Sequence, residues 1–224
     1  MKPNLIIDQS HINQDSECYV IAEIGCNHQG EIEKAKSIIT KAKQAGANAV
    51  KLQKRNNKKL FTKSMFDMPY INENSFGKTY GEHRELLELD KSEYIELQKH
   101  AKDLDITLFA TPFDFESVDF LADLNMPAYK IASGDITNIP LIEHVANLGK
   151  PLLVSTGGAT LDDVKRAYDT IMPINSNLCI LQCTSSYPAE PEDMNLNVIN
   201  TYRENFKDII IGLSDHQNGI AMAL

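Results

Sequence analysis

The chain is expected to be an α/β protein of the (β/α)8 TIM-barrel type, and three observations carry that expectation. Seven short apolar runs alternate with segments of helical periodicity, the pattern of parallel strands with helices packed outside them. Most runs begin about 20–30 residues apart, the length of one βα unit. Each run closes on a polar side chain, as strands do when a barrel displays its chemistry at their carboxyl ends. No GxGxxG follows the first run and no GxxxxGK[ST] occurs anywhere, which removes the usual nucleotide-binding open sheets.

The runs are "YVIAEIG" (19–25), "NAVKLQK" (48–54), "ITLFATP" (106–112), "AYKIASG" (128–134), "PLLVSTG" (151–157), "LCILQCT" (178–184) and "DIIIGLSD" (208–215). Helical spacing fills the intervals at 31–45, 91–104, 115–124, 138–148, 161–171 and 196–206. Asp114, Thr160 and Asn195 are the expected N-caps, and Gly46 and Gly149 the expected closing glycines. One interval departs from the rhythm. Residues 55–90 form a long polar insertion, expected to lie over the mouth of the site. Residues 1–17 are expected to form a hairpin or plug ahead of the barrel at 18–224. The end of the chain at "IAMAL" reads as the opening of helix seven, so the barrel is expected to be truncated after strand seven.

Composition narrows the function classes. A net charge of −9 over 224 residues argues against general nucleic-acid binding, while a few lysines in a cleft still suit a small anion. No apolar stretch nears the roughly 18 residues of a membrane span, and the N-terminus lacks a signal-peptide pattern. A cytoplasmic protein without membrane or nucleic-acid partners is expected. Cys18, Cys26, Cys179 and Cys183 show no CxxC or Cys/His zinc spacing and read as reduced, buried thiols.

The strand tips carry the candidate chemistry: Glu23; Lys51 and Gln53; Thr111; Lys130, Ser133 and Asp135; Ser155; Ser185 and Tyr187; Ser214 and His216. A lysine inside an apolar strand costs several kcal/mol unless a negative group meets it. Lys51 and Lys130 therefore ask for Glu23, Asp135, or a bound phosphate or carboxylate. Small hydroxyls suit an anion as well, donating hydrogen bonds without filling its space. Taken singly, each residue has a plainer reading: a snorkelling lysine, a structural serine, a hydrogen-bonded histidine. Seven tips together shift the balance. A Schiff base on Lys130, as in a class I aldolase, is the other chemistry these residues allow.

Read as a set, "AEIGCNHQG", "AVKLQ", "TPFD", "YKIASGD", "LLVSTGG", "LQCTSSYP" and "IGLSDH" resemble the sialic acid synthase family, the bacterial N-acetylneuraminate synthases and their legionaminic and pseudaminic relatives. The resemblance implies condensation of phosphoenolpyruvate with an N-acyl amino sugar of the N-acetylmannosamine type. The products are a nine-carbon 2-keto sugar acid and phosphate, a step of carbohydrate biosynthesis. It implies a divalent metal, manganese or else magnesium, and a homodimer whose small antifreeze-like domain, absent here, closes the partner's barrel. By the same resemblance Lys51, Thr111, Lys130, Ser133, Ser155, Ser185 and Ser214 hold phosphoenolpyruvate, and Gln53 and Tyr187 contact the sugar. Glu23 and Asp135 are then the acid/base pair, and His216 a metal ligand whose companion histidine belongs to strand eight. Asp135 stands where the family usually has glutamate, and position 185 is asparagine in some members. A phosphoenolpyruvate-binding homologue without turnover is the non-enzymatic reading of the same residues.

Overall fold

The computed structural model describes residues 3–224. The chain divides into two compact units, one formed by Tyr19–Pro127 and one by the stretch up to Cys18 with Ala128–Leu224. That division falls inside what the sequence reads as a single run from 18 to 224.

The stretch up to Cys18 contributes a hairpin of β1 (Asn4–Ile7) and β2 (Ser10–Asn13), antiparallel, with Asn4 opposite Asn13 and Ile7 opposite Ser10. Its alternation is visible in the burial: Leu5 and Ile7 are buried and Ile6 is exposed.

In the Tyr19–Pro127 unit, β3 (Ile21–Gly25), α1 (Ile32–Gln44), β4 (Ala49–Lys54), α2 (Asn57–Leu60), α3 (Lys63–Phe66), α4 (Tyr80–Glu85), α5 (Lys91–Asp103), β5 (Thr107–Pro112) and α6 (Phe115–Asp123) follow in order. The strands β3, β4 and β5 pair in parallel in chain order. Helical spacing of apolar residues decides which faces are buried: Ala35 and Ile39 on α1, Tyr94, Leu97 and Ala101 on α5, Val118 and Leu121 on α6. Asp90 and Glu93 start α5 as a reciprocal capping box.

The Ala128–Leu224 stretch repeats the pattern with β6 (Tyr129–Ile131), α7 (Ile139–Ala146), β7 (Leu152–Ser155), α8 (Leu161–Ile171), β8 (Leu178–Cys183), α9 (Val198–Asn205) and β9 (Ile210–Ser214). Here β6 to β9 are again parallel in chain order. All of β7 and β8 is buried, as expected of strands covered on both faces. Thr160 caps α8 in a second capping box, and Gly46 and Gly149 take the left-handed conformations expected after α1 and α7.

Three expectations need correction. Asn195 does not cap a helix: it sits at φ 46° in the turn before α9, whose N-cap is Asn197. The 55–90 insertion, whose length and polarity read as a long loop, holds α2, α3 and α4. His83, buried on α4, organises it: its Nδ1 accepts from the Phe76 N–H at 3.2 Å, and Tyr70, Phe76 and Tyr80 pack around its ring. All four cysteines are free thiols, but Cys18 is exposed and Cys26 only half-buried. No helix among the described residues is long and apolar enough to cross a membrane.

Asp114 ties α6 to the start of the insertion. Its carboxylate accepts from the Ser117 N–H (2.8 Å) and hydroxyl (2.8 Å), capping α6, and from the Asn56 N–H (2.7 Å), anchoring the start of the insertion. Asp114→Ala is expected to lower stability by about 2–3 kcal/mol, one cap plus a stranded backbone donor, as read from urea unfolding. Asp114→Asn is expected to recover part of that loss.

Candidate active site

In the Tyr19–Pro127 unit the site grows from the register of β3 against β4. Glu23 lies directly opposite Lys51, and the two side chains form an ion pair. Lys51 is 4% exposed, and its Nζ also donates to Thr111 Oγ1 at 2.9 Å. Of the negative groups the sequence offered to Lys51, the one it meets in its own unit is therefore Glu23. Burial is the main influence on Lys51 and pushes its pKa down; the Glu23 carboxylate opposes that shift, and Arg55 adds to it.

Near the end of β4, the Gln53 Oε1 accepts from Arg55 Nη2 at 2.7 Å and lies 3.8 Å from Cys26 Sγ. The Tyr94 hydroxyl donates to the Gln53 carbonyl at 3.1 Å and steadies this end of the strand. Lys54 turns the other way, donating to Glu88 (3.0 Å) and to the Leu89 carbonyl (2.8 Å). The insertion thus returns to the ends of β3 and β4: Arg84 of α4 reaches Cys26, and the Leu86 carbonyl fills the space where a Gly30 side chain would stand.

In the Ala128–Leu224 stretch, Ser133 and Asp135 occupy a 3-10 turn directly after β6. The Gly157 N–H donates to Ser133 Oγ at 2.9 Å. Gly157 has no room for a side chain, because a Cβ there would collide with the Ser185 hydroxyl and press on Ser133. Ser155, at the tip of β7, is fully buried, and its hydroxyl has no partner among the described residues. A buried hydroxyl left so costs about 1–3 kcal/mol unless a ligand meets it.

Ser214 pairs in register with Cys183, and the Cys183 thiol also meets His216 Nδ1 at 3.9 Å. Burial pushes that thiol up, yet hydrogen bonds with His216, Ser133 and Ser214 outweigh burial and bring it down to about 7. The Cys183 contact is likewise the main cause that raises His216, against burial and the Lys130 charge. His216 is held firmly: Nδ1 meets the Thr184 carbonyl at 2.8 Å, and the His216 carbonyl accepts from the Ala189 N–H at 3.0 Å. The exposed Tyr187 ring packs on the imidazole with centroids 4.0 Å apart.

These contacts bring Glu23, Lys51, Thr111 and Gln53 together in one unit. In the other they join Ser133 to Gly157 and Ser185, and Ser133, Ser214 and His216 to Cys183. Sequence reasoning missed Cys183, whose apolar run disguised it, along with Gly157, Arg55 and Arg84. The alternation of β8 was the available signal, since Cys183 shares a face with Ser185 two residues on.

For a metal, the donor His216 Nδ1 on a carbonyl leaves Nε2 with its lone pair, the form in which imidazole ligates. His216 fits as one ligand. Among the described residues no group of three or more His, Cys, Asp or Glu side chains converges as a metal set.

A model described as the NeuB family matches residues 38–224. N-acetylneuraminate-9-phosphate synthase of Homo sapiens is 44% identical over 207 residues, covering 92% of this chain and 58% of that protein. N,N'-diacetyllegionaminic acid synthase of Legionella pneumophila is 38% identical over 209 residues, 91% of this chain and 58% of that protein. The chain thus spans less than two thirds of the length of these relatives. The crystal structure of N-acetylneuraminic acid synthetase from Leptospira borgpetersenii, in complex with citrate, superposes with a TM-score of 0.86 at 30% identity. That match covers 99% of this chain and 73% of the other. The fold class expected from the sequence, α/β of the (β/α)8 barrel type, is the one found.

The Lys51 environment makes a direct prediction. Its pKa in the folded chain lies below its unfolded value, so the unfolded chain holds more protons between the two. Stability from this site therefore rises with pH from the folded pKa up to the unfolded value of ~10.4. Glu23→Gln removes the group that opposes the shift, and is expected to move Lys51 further down. NMR titration of 15N-labelled lysine side chains reads that change.

Proposed function

The chain belongs to the NeuB family, and from that premise we propose that it carries the catalytic core of a sialic-acid-type synthase. In this reading phosphoenolpyruvate condenses with the open aldehyde form of an N-acyl amino sugar, giving a nine-carbon 2-keto sugar acid and phosphate. The observation that carries the reading is the buried, unpartnered Ser155 hydroxyl two residues before the crowded Gly157 turn. A buried donor at the tip of β7, leading into the Gly157 turn where the Ser133 and Ser185 hydroxyls meet, suits a compact anion.

The roles follow from side-chain chemistry. Lys51 and Lys130 answer the phosphate and carboxylate charges, and Thr111, Ser133, Ser155, Ser185 and Ser214 donate hydrogen bonds to their oxygens. Gln53 and Tyr187 hold the sugar. As the enol carbon bonds to the aldehyde carbon, the aldehyde oxygen gains a proton and water adds at the carbon bearing phosphate. Phosphate then leaves by C–O cleavage. Glu23 and Asp135 are the groups proposed to move these protons. A divalent metal held by His216, manganese or magnesium, would supply Lewis-acid polarisation of the aldehyde oxygen. A cytoplasmic homodimer belongs to the same proposal.

The relatives leave two acceptor types open. Phosphoenolpyruvate supplies three carbons, so carbon 6 of the acceptor becomes carbon 9 of the product. A 9-phosphate product, as in the name of the human relative, needs a 6-phosphorylated acceptor. The legionaminic relative's name carries no phosphate.

The full-length gene product is expected to release phosphate only when phosphoenolpyruvate, an N-acyl mannosamine-type sugar and manganese are all present. Release that persists without the sugar contradicts the reading. Borohydride added during turnover is expected to leave Lys130 unmodified; a trapped Lys130 adduct would instead support the aldolase. Gly157→Ala is expected to raise KM for phosphoenolpyruvate by roughly tenfold or more, through displaced Ser133 and Ser185 hydroxyls.

A further inference from the structure

Two arginines that the proposed chemistry leaves unused converge beside Gln53. Arg55, just past the end of β4, places Nη1 3.8 Å from Cys26 Sγ. Arg84, from α4 of the insertion, places Nη2 3.9 Å from the same sulfur. The two cations are both half-buried, and the acceptor they share is a weakly accepting thiol. The Arg55 guanidinium carbon sits over the Phe113 ring, 3.7 Å from its centroid, which helps hold the side chain in place. Arg84 Nε is buried and without a partner among the described residues.

The nearby acid answers this crowding only in part: Glu88 Oε1 is buried and meets no hydrogen-bond donor among the described residues. Glu88 Oε2 already accepts from Lys54 Nζ at 3.0 Å and from the Arg55 backbone N–H at 3.2 Å. Lys54 and Arg55 thus draw on this one carboxylate, while the recorded partner of the Arg84 guanidinium is the Cys26 sulfur. Burial, and after it the Arg84 charge, push Arg55 below its ordinary value, so the pair is held together against its own repulsion. A small dianion relieves both problems at once: it offsets the like charges and offers acceptor oxygens to the fork donors and the stranded Nε. The Cys26 sulfur, a weak acceptor at 3.8 and 3.9 Å, does this only in part and leaves Arg84 Nε unmet.

The position says what carries the dianion. Arg55 Nη2 donates to Gln53 Oε1 at 2.7 Å, and Gln53 is the residue proposed to hold the acceptor sugar. An anion on the Arg55–Arg84 pair therefore sits one side chain away from the sugar. We propose that Arg55 and Arg84 form a phosphate-binding fork, and that the acceptor is an N-acyl amino sugar carrying a phosphate on carbon 6. This rests on the synthase reading proposed above and specifies its acceptor. The 55–90 insertion acquires a role as well, because α4 delivers the second arginine to the tip of β4.

The test compares N-acetylmannosamine with its 6-phosphate in the full-length gene product, with phosphoenolpyruvate and manganese, by phosphate release. The wild type is expected to prefer the 6-phosphate. Arg84→Gln is expected to reduce the preference, the ratio of kcat/KM values, roughly 100-fold, the effect of losing one or two charge-assisted bonds. Arg84→Lys, which keeps the charge without the fork and guards against a folding defect, should fall between. A wild type that prefers the free sugar, or variants that leave the ratio unchanged, overturns the proposal. Absence of turnover with either sugar defeats the synthase reading, and calorimetric titration with the 6-phosphate then decides the fork. Binding that weakens in Arg84→Gln supports it, and no binding to the wild type overturns it.

Discussion

A strand covered by apolar groups on both faces tolerates a polar side chain only at its end, or where a partner meets it. That constraint organises this molecule. β7 and β8 are buried along their whole length, so the hydroxyls of Ser155 and Ser185 stand at or beyond their tips. Lys51 is the informative exception. It lies inside β4, and the register that places Glu23 opposite it and Thr111 within reach makes its burial tolerable. A slip of one residue in that pairing would turn Lys51 to the helix side and strand its charge.

Much of this was legible in the sequence, because the signals were local. Each of the seven apolar runs corresponds to a parallel strand, and the helical intervals to helices whose buried faces follow the expected spacing. Asp114 and Thr160 announce their helices because a cap acts within three residues. Asn195 misled for the same reason: an asparagine suits a left-handed turn as well as a cap, and the turn prevailed. The insertion at 55–90 was recognisable by length but not by content. Its helices are four to six residues long, too short to establish a period.

The candidate site was legible as a set of residues and not as a set of contacts. The tips named Lys51, Thr111, Ser133, Ser155, Ser214 and His216, but not that Cys183 would gather three of them. Nor does spacing connect Cys26, Arg55 and Arg84, which the fold brings to one sulfur from a strand exit, a second strand exit and a helix. Such long-range meetings depend on tertiary packing. They are also where the molecule departs from the bland solution of apolar cores and solvated charges: an orphan hydroxyl, a tuned thiol, two arginines held close. Departures of this kind mark sites that a ligand completes.

The central claim is that these residues serve a carbon–carbon condensation in which phosphate leaves with its bridging oxygen. The most direct measurement uses phosphoenolpyruvate labelled with 18O at the oxygen joining carbon 2 to phosphorus, turned over by the full-length gene product with its acceptor sugar. Mass spectrometry of the released phosphate then reads which bond broke. The account predicts that the label appears in inorganic phosphate, as C–O cleavage requires. Unlabelled phosphate, with the 18O kept in the organic product, would mean P–O cleavage and would contradict it.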